Sequence, residues 1–136
     1  MQVQDVMTET VHTVNLQKKT LVAAEIMNWA NVRHVPVVNA RNEVVGIITH
    51  RDLLRVSMSA LDTSVVEFDK RRFVSQIPIT EVMQREVRTI SPGASVRLAA
   101  RIMRQERVGC LPVVEKGKLV GIVTEADLLG VLETMP

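Results

Sequence analysis

The sequence predicts an α/β protein, α+β in the way its strands and helices follow one another, built from two copies of a β-α-β-β-α unit. Repetition is the first observation behind this. Gly46-Ile47-Ile48-Thr49-His50-Arg51-Asp52-Leu53-Leu54 recurs as Gly121-Ile122-Val123-Thr124-Glu125-Ala126-Asp127-Leu128-Leu129. Asp5-Val6-Met7 is echoed by Glu81-Val82-Met83, and Val35-Pro36-Val37-Val38 by Leu111-Pro112-Val113-Val114. A repeat of this kind fixes architecture before any local motif is weighed. The second observation is periodicity: within each copy, short apolar runs of strand type alternate with stretches of helical spacing.

Each element has its own signal. Thr10–Val14 is a short β-prone run, matched by Val87–Ile90. A helix is predicted over Thr20–Asn31, where Leu21, Ala24 and Met27, with Ala23 and Ile26, recur at helical spacing. Its counterpart is Val96–Arg107, with Ser95 as N-cap and Pro92-Gly93 as the preceding break. His34–Val38 and Val44–Ile48 read as two buried strands around a turn at Asn39-Ala40-Arg41-Asn42. In the second copy that turn is one residue shorter and carries Glu115-Lys116-Gly117-Lys118. A length change belongs in a hairpin tip, where it disturbs no core contact. A second helix closes each copy, Arg51 to about Met58 and Ala126–Leu132.

The organisation expected is one repeat over 1–60, a helical linker over 61–79 and a second repeat over 80–136. A long structureless connection would be unusual in a compact protein, so Ser57–Thr80 should extend the second helix or add another. The chain should then cross to the second copy before Ile77-Pro78.

With 136 residues, the chain can bury one sizeable core, so the two copies should pack together. A net charge of +2 is too small to imply nucleic acid or a membrane surface. Trp29, Phe68 and Phe73 are the only aromatics, too few for a platform that stacks single-stranded bases. Cys110 is alone, so an internal disulfide framework is excluded and a reducing compartment fits. The first residues are neither basic nor continuously apolar, and no run approaches the roughly 20 apolar residues that span a bilayer. The expectation is a soluble cytoplasmic protein.

Thr49-His50-Arg51-Asp52 and Thr124-Glu125-Ala126-Asp127 each join a strand to a helix. One reading is structural: Thr followed three residues later by an acid resembles a capping box. The other is functional. Gly46 and Gly121 lie within strands, where glycine weakens packing unless backbone or ligand must come close. A helix start offers free N–H groups and a positive dipole end that suit phosphate. An Asp one turn in can accept both hydroxyls of a ribose. Both readings stand at this point.

On these residues and the two Gly-x-x-Thr-x-x-Asp runs, the chain resembles a tandem pair of cystathionine-β-synthase (CBS) domains, a Bateman module, over about residues 3–133. The resemblance implies two repeats about a pseudo-two-fold axis, with clefts that take AMP, ADP or ATP, or alternatively S-adenosylmethionine or an NAD-type dinucleotide. It implies a non-catalytic regulatory protein that signals by shape or oligomer change, either as a homodimer or through a separate effector protein. It also implies roles for individual residues. Asp52 and Asp127 would hold ribose, and Thr49 and Thr124 would face phosphate or ribose. Thr13 and Thr89 would line sugar or base. His34-Val35-Pro36 and Gly109-Cys110-Leu111-Pro112 would wall the adenine. His50 and Arg51 would reach phosphates, which Glu125 in the second copy would repel. A purely structural or dimerisation module, with both Thr-Asp pairs acting only as caps, is the rival.

The remaining residues carry little chemistry. His12, His34 and His50 lack the spacing of a metal set, so no metal is expected. No Ser or Cys has a local base, so no catalytic residue is assigned and no catalytic cofactor is expected. Cys110 beside a strand reads as a small apolar residue. Arg97, Arg101 and Arg104 share one helical face and read as solvated. Trp29, with Gln105 at its repeat position, suggests a subunit contact.

Overall fold

The repeat is visible in the element order of the computed structural model, which describes residues 1–62 and 75–136. A 3-10 turn at Val3–Asp5 precedes β1 (Val14–Asn15), α1 (Thr20–Ala30), β2 (His34–Val38), β3 (Val44–Thr49) and α2 (His50–Asp62). A second 3-10 turn at Ile79–Glu81 precedes α3 (Val96–Glu106), β4 (Cys110–Glu115), β5 (Lys118–Thr124) and α4 (Glu125–Thr134). This is the mixed helix and sheet class that the sequence predicts. The extension of the second helix is realised as far as Asp62. Of the rest of the expected helical linker over 61–79, Ser75 and Gln76 are helical, and residues 63–74 lie outside the described residues.

Both hairpins form where the apolar runs place them. β2 and β3 pair antiparallel with His34 opposite Thr49 and Val37 opposite Gly46, and a bulge follows Val37. β4 and β5 repeat this with Cys110 opposite Thr124 and Val113 opposite Gly121, again with a bulge. The tips differ as their sequences do. Asn39 organises the longer one: its Oδ1 accepts from the N–H groups of Arg41 (2.9 Å) and Glu43 (3.0 Å). The shorter tip turns through Lys116 (φ 52°) and Gly117 (φ 79°), the positive-φ pair that a two-residue hairpin favours.

The first strand of each copy is shorter than the sequence suggests. Of Thr10–Val14 only Val14 enters a ladder; it pairs parallel with Val37, and Asn15 pairs with Val38. In the second copy the run is reduced to a single parallel bridge, Ile90 to Val113. β-propensity makes a strand only where a partner edge is present, and these runs meet one only at their ends.

α1 and α3 end where expected, on Asn31 and Arg107, both left-handed at φ 56°. Ser95 caps α3, its side chain accepting from the Leu98 N–H at 3.0 Å.

Contacts divide the chain into two compact units that do not coincide with the repeats: His12–Glu86, and Met1–Val11 together with Val87–Pro136. The crossing expected before Ile77-Pro78 comes instead after Glu86. The N–H and hydroxyl of Thr20, the fully buried first residue of α1, both donate to the Ile77 carbonyl at 2.9 Å. That bond satisfies a helix-start N–H that has no partner of its own. Ile79 is then fully buried with Val14, Ala23, Met27, Val35, Val37, Ile48 and Met83. Val3 takes the equivalent place in the other unit, among Ile90, Ala99, Ile102, Met103, Leu111, Val113 and Val123. Its N–H donates to the Ala94 carbonyl at 2.8 Å. The two cores match almost position for position, aliphatic throughout, with Met27 and Met103 as equivalent fillers.

Candidate functional site

In each unit a Thr-x-x-Asp run sits where the hairpin's last strand becomes a helix. In the first copy the Thr49 N–H donates to Asp52 Oδ2 at 2.8 Å, and the Thr49 hydroxyl donates to the same oxygen at 2.9 Å. The Asp52 N–H donates back to Thr49 Oγ1 at 3.2 Å. In the second copy the Thr124 N–H and hydroxyl donate to Asp127 Oδ2 at 2.8 and 3.1 Å, and the Asp127 N–H returns to Thr124 Oγ1 at 3.4 Å. The capping reading is therefore realised in both copies. A cap uses one carboxylate oxygen, so the other decides whether a ligand can be held.

Here the copies part. Asp52 is 3% exposed. The Gln84 side-chain amide donates to both its oxygens at 3.3 Å, and Arg55 lies 3.3 Å from Oδ1. Asp127 is half-buried, and among the described residues its carboxylate takes hydrogen bonds from Thr124 alone. Two differences in sequence account for this. Thr8 stands where the first copy's unit has Gln84, and Gly130 where it has Arg55. The backbone is the same at both places: Gln84 pairs with Ile47 through N–H to carbonyl bonds of 2.8 and 3.0 Å, and Thr8 pairs with Ile122 through two of 2.9 Å.

The other expected site residues differ in exposure and in their place on the strands. Thr13 is half-buried and directly precedes Val14, whose register against Val37 sets it beside the β2 segment. Thr89 is exposed in the equivalent place, before the Ile90 bridge to Val113. His34 is half-buried opposite Thr49. The side chains of Val35 and Leu111 are buried in the unit cores, and Pro36 and Pro112 are fully buried as well, so any contact with a base from these segments comes from backbone or from neighbours. His50, Arg51 and Glu125 are exposed on the first turns of α2 and α4.

Gly46 and Gly121 are explained without a ligand. A Cβ on Gly46 would stand 2.5 Å from Met83 Sδ and 3.0 Å from the Gln84 carbonyl oxygen. On Gly121 it would stand 2.6 Å from Met7 Sδ and 3.1 Å from the Thr8 oxygen. The glycines admit the 3-10 segment to the edge of the hairpin.

Cys110 is buried opposite Thr124. Burial, helped by the negative charge of Glu125, pushes its thiol from 9.0 up to about 12. A thiol so disposed is apolar filler rather than a nucleophile. Trp29 is 67% exposed and meets His12 edge to face, ring centroids 5.1 Å apart. Arg97, Arg101 and Arg104 are all exposed. No helix among the described residues is long and apolar enough to cross a membrane.

Gln84 and Arg55 are the residues that motif reading missed. Their signal is present in the sequence, as mismatches when the repeats are laid side by side.

The CBS domain model matches residues 3–59 and 70–134. A CBS domain-containing protein of Dictyostelium discoideum is 34% identical over 131 residues, 96% of this chain and 90% of that protein. A homoserine O-acetyltransferase of Methanococcoides burtonii is 34% identical over 127 residues, which span 93% of this chain but only 23% of the enzyme. Among solved structures, the CBS domain pair of protein MJ0100 in complex with 5′-methylthioadenosine and S-adenosyl-L-methionine superposes with a TM-score of 0.80 at 27% identity, covering 98% of this chain and 96% of that one. CBSX2 in complex with AMP superposes with a TM-score of 0.79 at 23% identity, covering 97% and 96%, a likeness of fold.

Proposed function

Because the chain belongs to the CBS domain family, we propose that it is a non-catalytic regulatory module that binds an adenosine-containing ligand and passes binding on as a change of shape or association. The observation that carries this reading is the Asp127 carboxylate. One oxygen is fixed by the Thr124 cap, and the other has no partner among the described residues. A carboxylate held in one orientation with an oxygen to spare suits the adjacent hydroxyls of a ribose. Thr89 and the backbone of Cys110–Pro112 would complete this site beside Thr124, whose strand partner is Cys110, and Thr13 with His34–Pro36 would do so beside Thr49, whose strand partner is His34. Binding drives a switch only by as much as the ligand prefers one state over the other. The output passes to a homodimer or to a separate effector protein, in the cytoplasm.

AMP, ADP and ATP are the first ligands to try, since His50 and Arg51 present exposed donors suited to phosphate. Glu125 favours a second choice. An exposed carboxylate two residues before Asp127 opposes a phosphate there and favours a ligand with little negative charge, such as S-adenosylmethionine. The adenosine compounds held by the MJ0100 pair support that chemistry. An NAD-type dinucleotide is the remaining candidate.

Calorimetry and thermal shift against AMP, ADP, ATP, S-adenosylmethionine and NADH test the reading. A ligand at a hundred times its dissociation constant should add about 2.7 kcal/mol of stability. Asp127→Asn should abolish this while the fold survives. If none of the five shifts the wild-type protein, the sensor reading fails and a structural module remains.

A further inference from the structure

We propose that Gln84 and Arg55 are built-in occupants of the Asp52 carboxylate, which keep the first copy's sugar acceptor closed while Asp127 stays open. The inference rests on the reading of the two carboxylates as sugar acceptors. It adds that the two are not equivalent, and it names the side chains responsible.

The argument begins with donors. A ribose binds a carboxylate by presenting two O–H donors to its oxygens. The Gln84 amide already spans both Asp52 oxygens at 3.3 Å, and Arg55 reaches Oδ1 at 3.3 Å. Thr49 holds Oδ2 from the other side. A diol entering here must first displace the amide and compete with a guanidinium, whose charge-assisted bond is the stronger kind. At Asp127 the diol displaces nothing from the second oxygen.

The masking is a matter of side chains alone. Gln84 and Thr8 make the same pair of backbone bonds to the hairpin. Threonine therefore fits the backbone of that position, and the longer amide is what reaches the carboxylate. Arg55, one turn after Asp52 on α2, reaches Oδ1 with a side chain that is itself largely exposed, while Asp52 is buried.

Carboxylate labelling tests this without a ligand. The intact protein is treated with a water-soluble carbodiimide and glycine ethyl ester, and tagged residues are read by mass spectrometry. Asp127 should label severalfold faster than Asp52. Gln84→Thr should raise Asp52 labelling severalfold with Asp127 unchanged, and Arg55→Ala should raise it further. Thr8→Gln should slow Asp127. Circular dichroism confirms that each variant is folded. Calorimetry with AMP and with S-adenosylmethionine follows. The wild type should bind one equivalent, and Gln84→Thr combined with Arg55→Ala should bind two. Unchanged Asp52 labelling, or two equal sites in the wild type, overturns the proposal and leaves the adenosine reading intact. Absence of binding in every protein overturns the adenosine reading and the proposal with it.

Discussion

The unit of His12–Glu86 and the unit of Met1–Val11 with Val87–Pro136 share a hairpin, a helix cap and an aliphatic core, yet they treat the same aspartate differently. In one it is a buried hub with donors from Thr49, Gln84 and Arg55. In the other it is half-exposed and held by its cap alone. The difference teaches that a motif fixes where a carboxylate is, while residues outside the motif fix whether it is available. Thr-x-x-Asp is common to both copies; availability is decided by positions 84 and 8, and by 55 and 130.

The strongest way to sharpen the comparison is to unseat the crossing residues. Ile79 and Val3 hold equivalent, fully buried places. Ile79→Ala should destabilise by about 3 kcal/mol, since it deletes more buried carbon than Val3→Ala, which should cost about 2. Urea titration monitored by circular dichroism measures both, and equal small effects would show that the 3-10 segments are dispensable to the cores.

Next comes the aspartate pair. Asp52→Asn should cost about 2 kcal/mol, because a buried carboxylate with several donors is replaced by a group that accepts at one end only. Asp127→Asn should cost about 1 kcal/mol, the worth of a cap. Binding should reverse the order, with the Asp127 change the more damaging to calorimetric affinity. A larger stability loss at Asp127 would break the distinction between hub and open acceptor.

The helix ends give a smaller contrast. Asn31 and Arg107 both close a helix at φ 56°. Arginine enters that region at a greater cost than asparagine, so Arg107→Gly should stabilise by about 0.5–1 kcal/mol and Asn31→Gly by less. Thermal unfolding of the two variants reads the difference.

At neutral pH the least effect belongs to Cys110. With the folded thiol at about 12 against 9.0 when unfolded, the folded state keeps its proton where the unfolded one has lost it. Stability from this group is therefore intact below pH 9 and falls as pH rises from 9 towards 12. Iodoacetamide should leave folded Cys110 largely untouched at neutral pH and react with it readily in urea.

Much of this was legible in the sequence. Both hairpins, the Ser95 cap, the ends of α1 and α3 and the Thr-Asp pairs follow from turn residues, capping chemistry and period. These signals are local, and the repeat checked each one twice. Family membership was legible from the same repeated runs. What could not be read was non-local. Nothing near Ile79 says that it packs under α1 rather than on its own repeat, since an isolated apolar residue has no period. The β-prone run at Thr10–Val14 likewise promised a strand that a missing partner edge cut short. Gln84 escaped because its reach to Asp52 depends on that same packing.

The crossing also has a bearing on how such a protein is held in one piece. Each copy's core is completed by a leading arm that belongs to the other copy, Val3 in one direction and Ile79 in the other. A single copy synthesised alone would have an arm with no socket and a socket with no arm, and two such chains could satisfy each other only by trading. Joined in tandem, the trade becomes internal. A protease nick between the copies would then sever the polypeptide and leave the two pieces clasped.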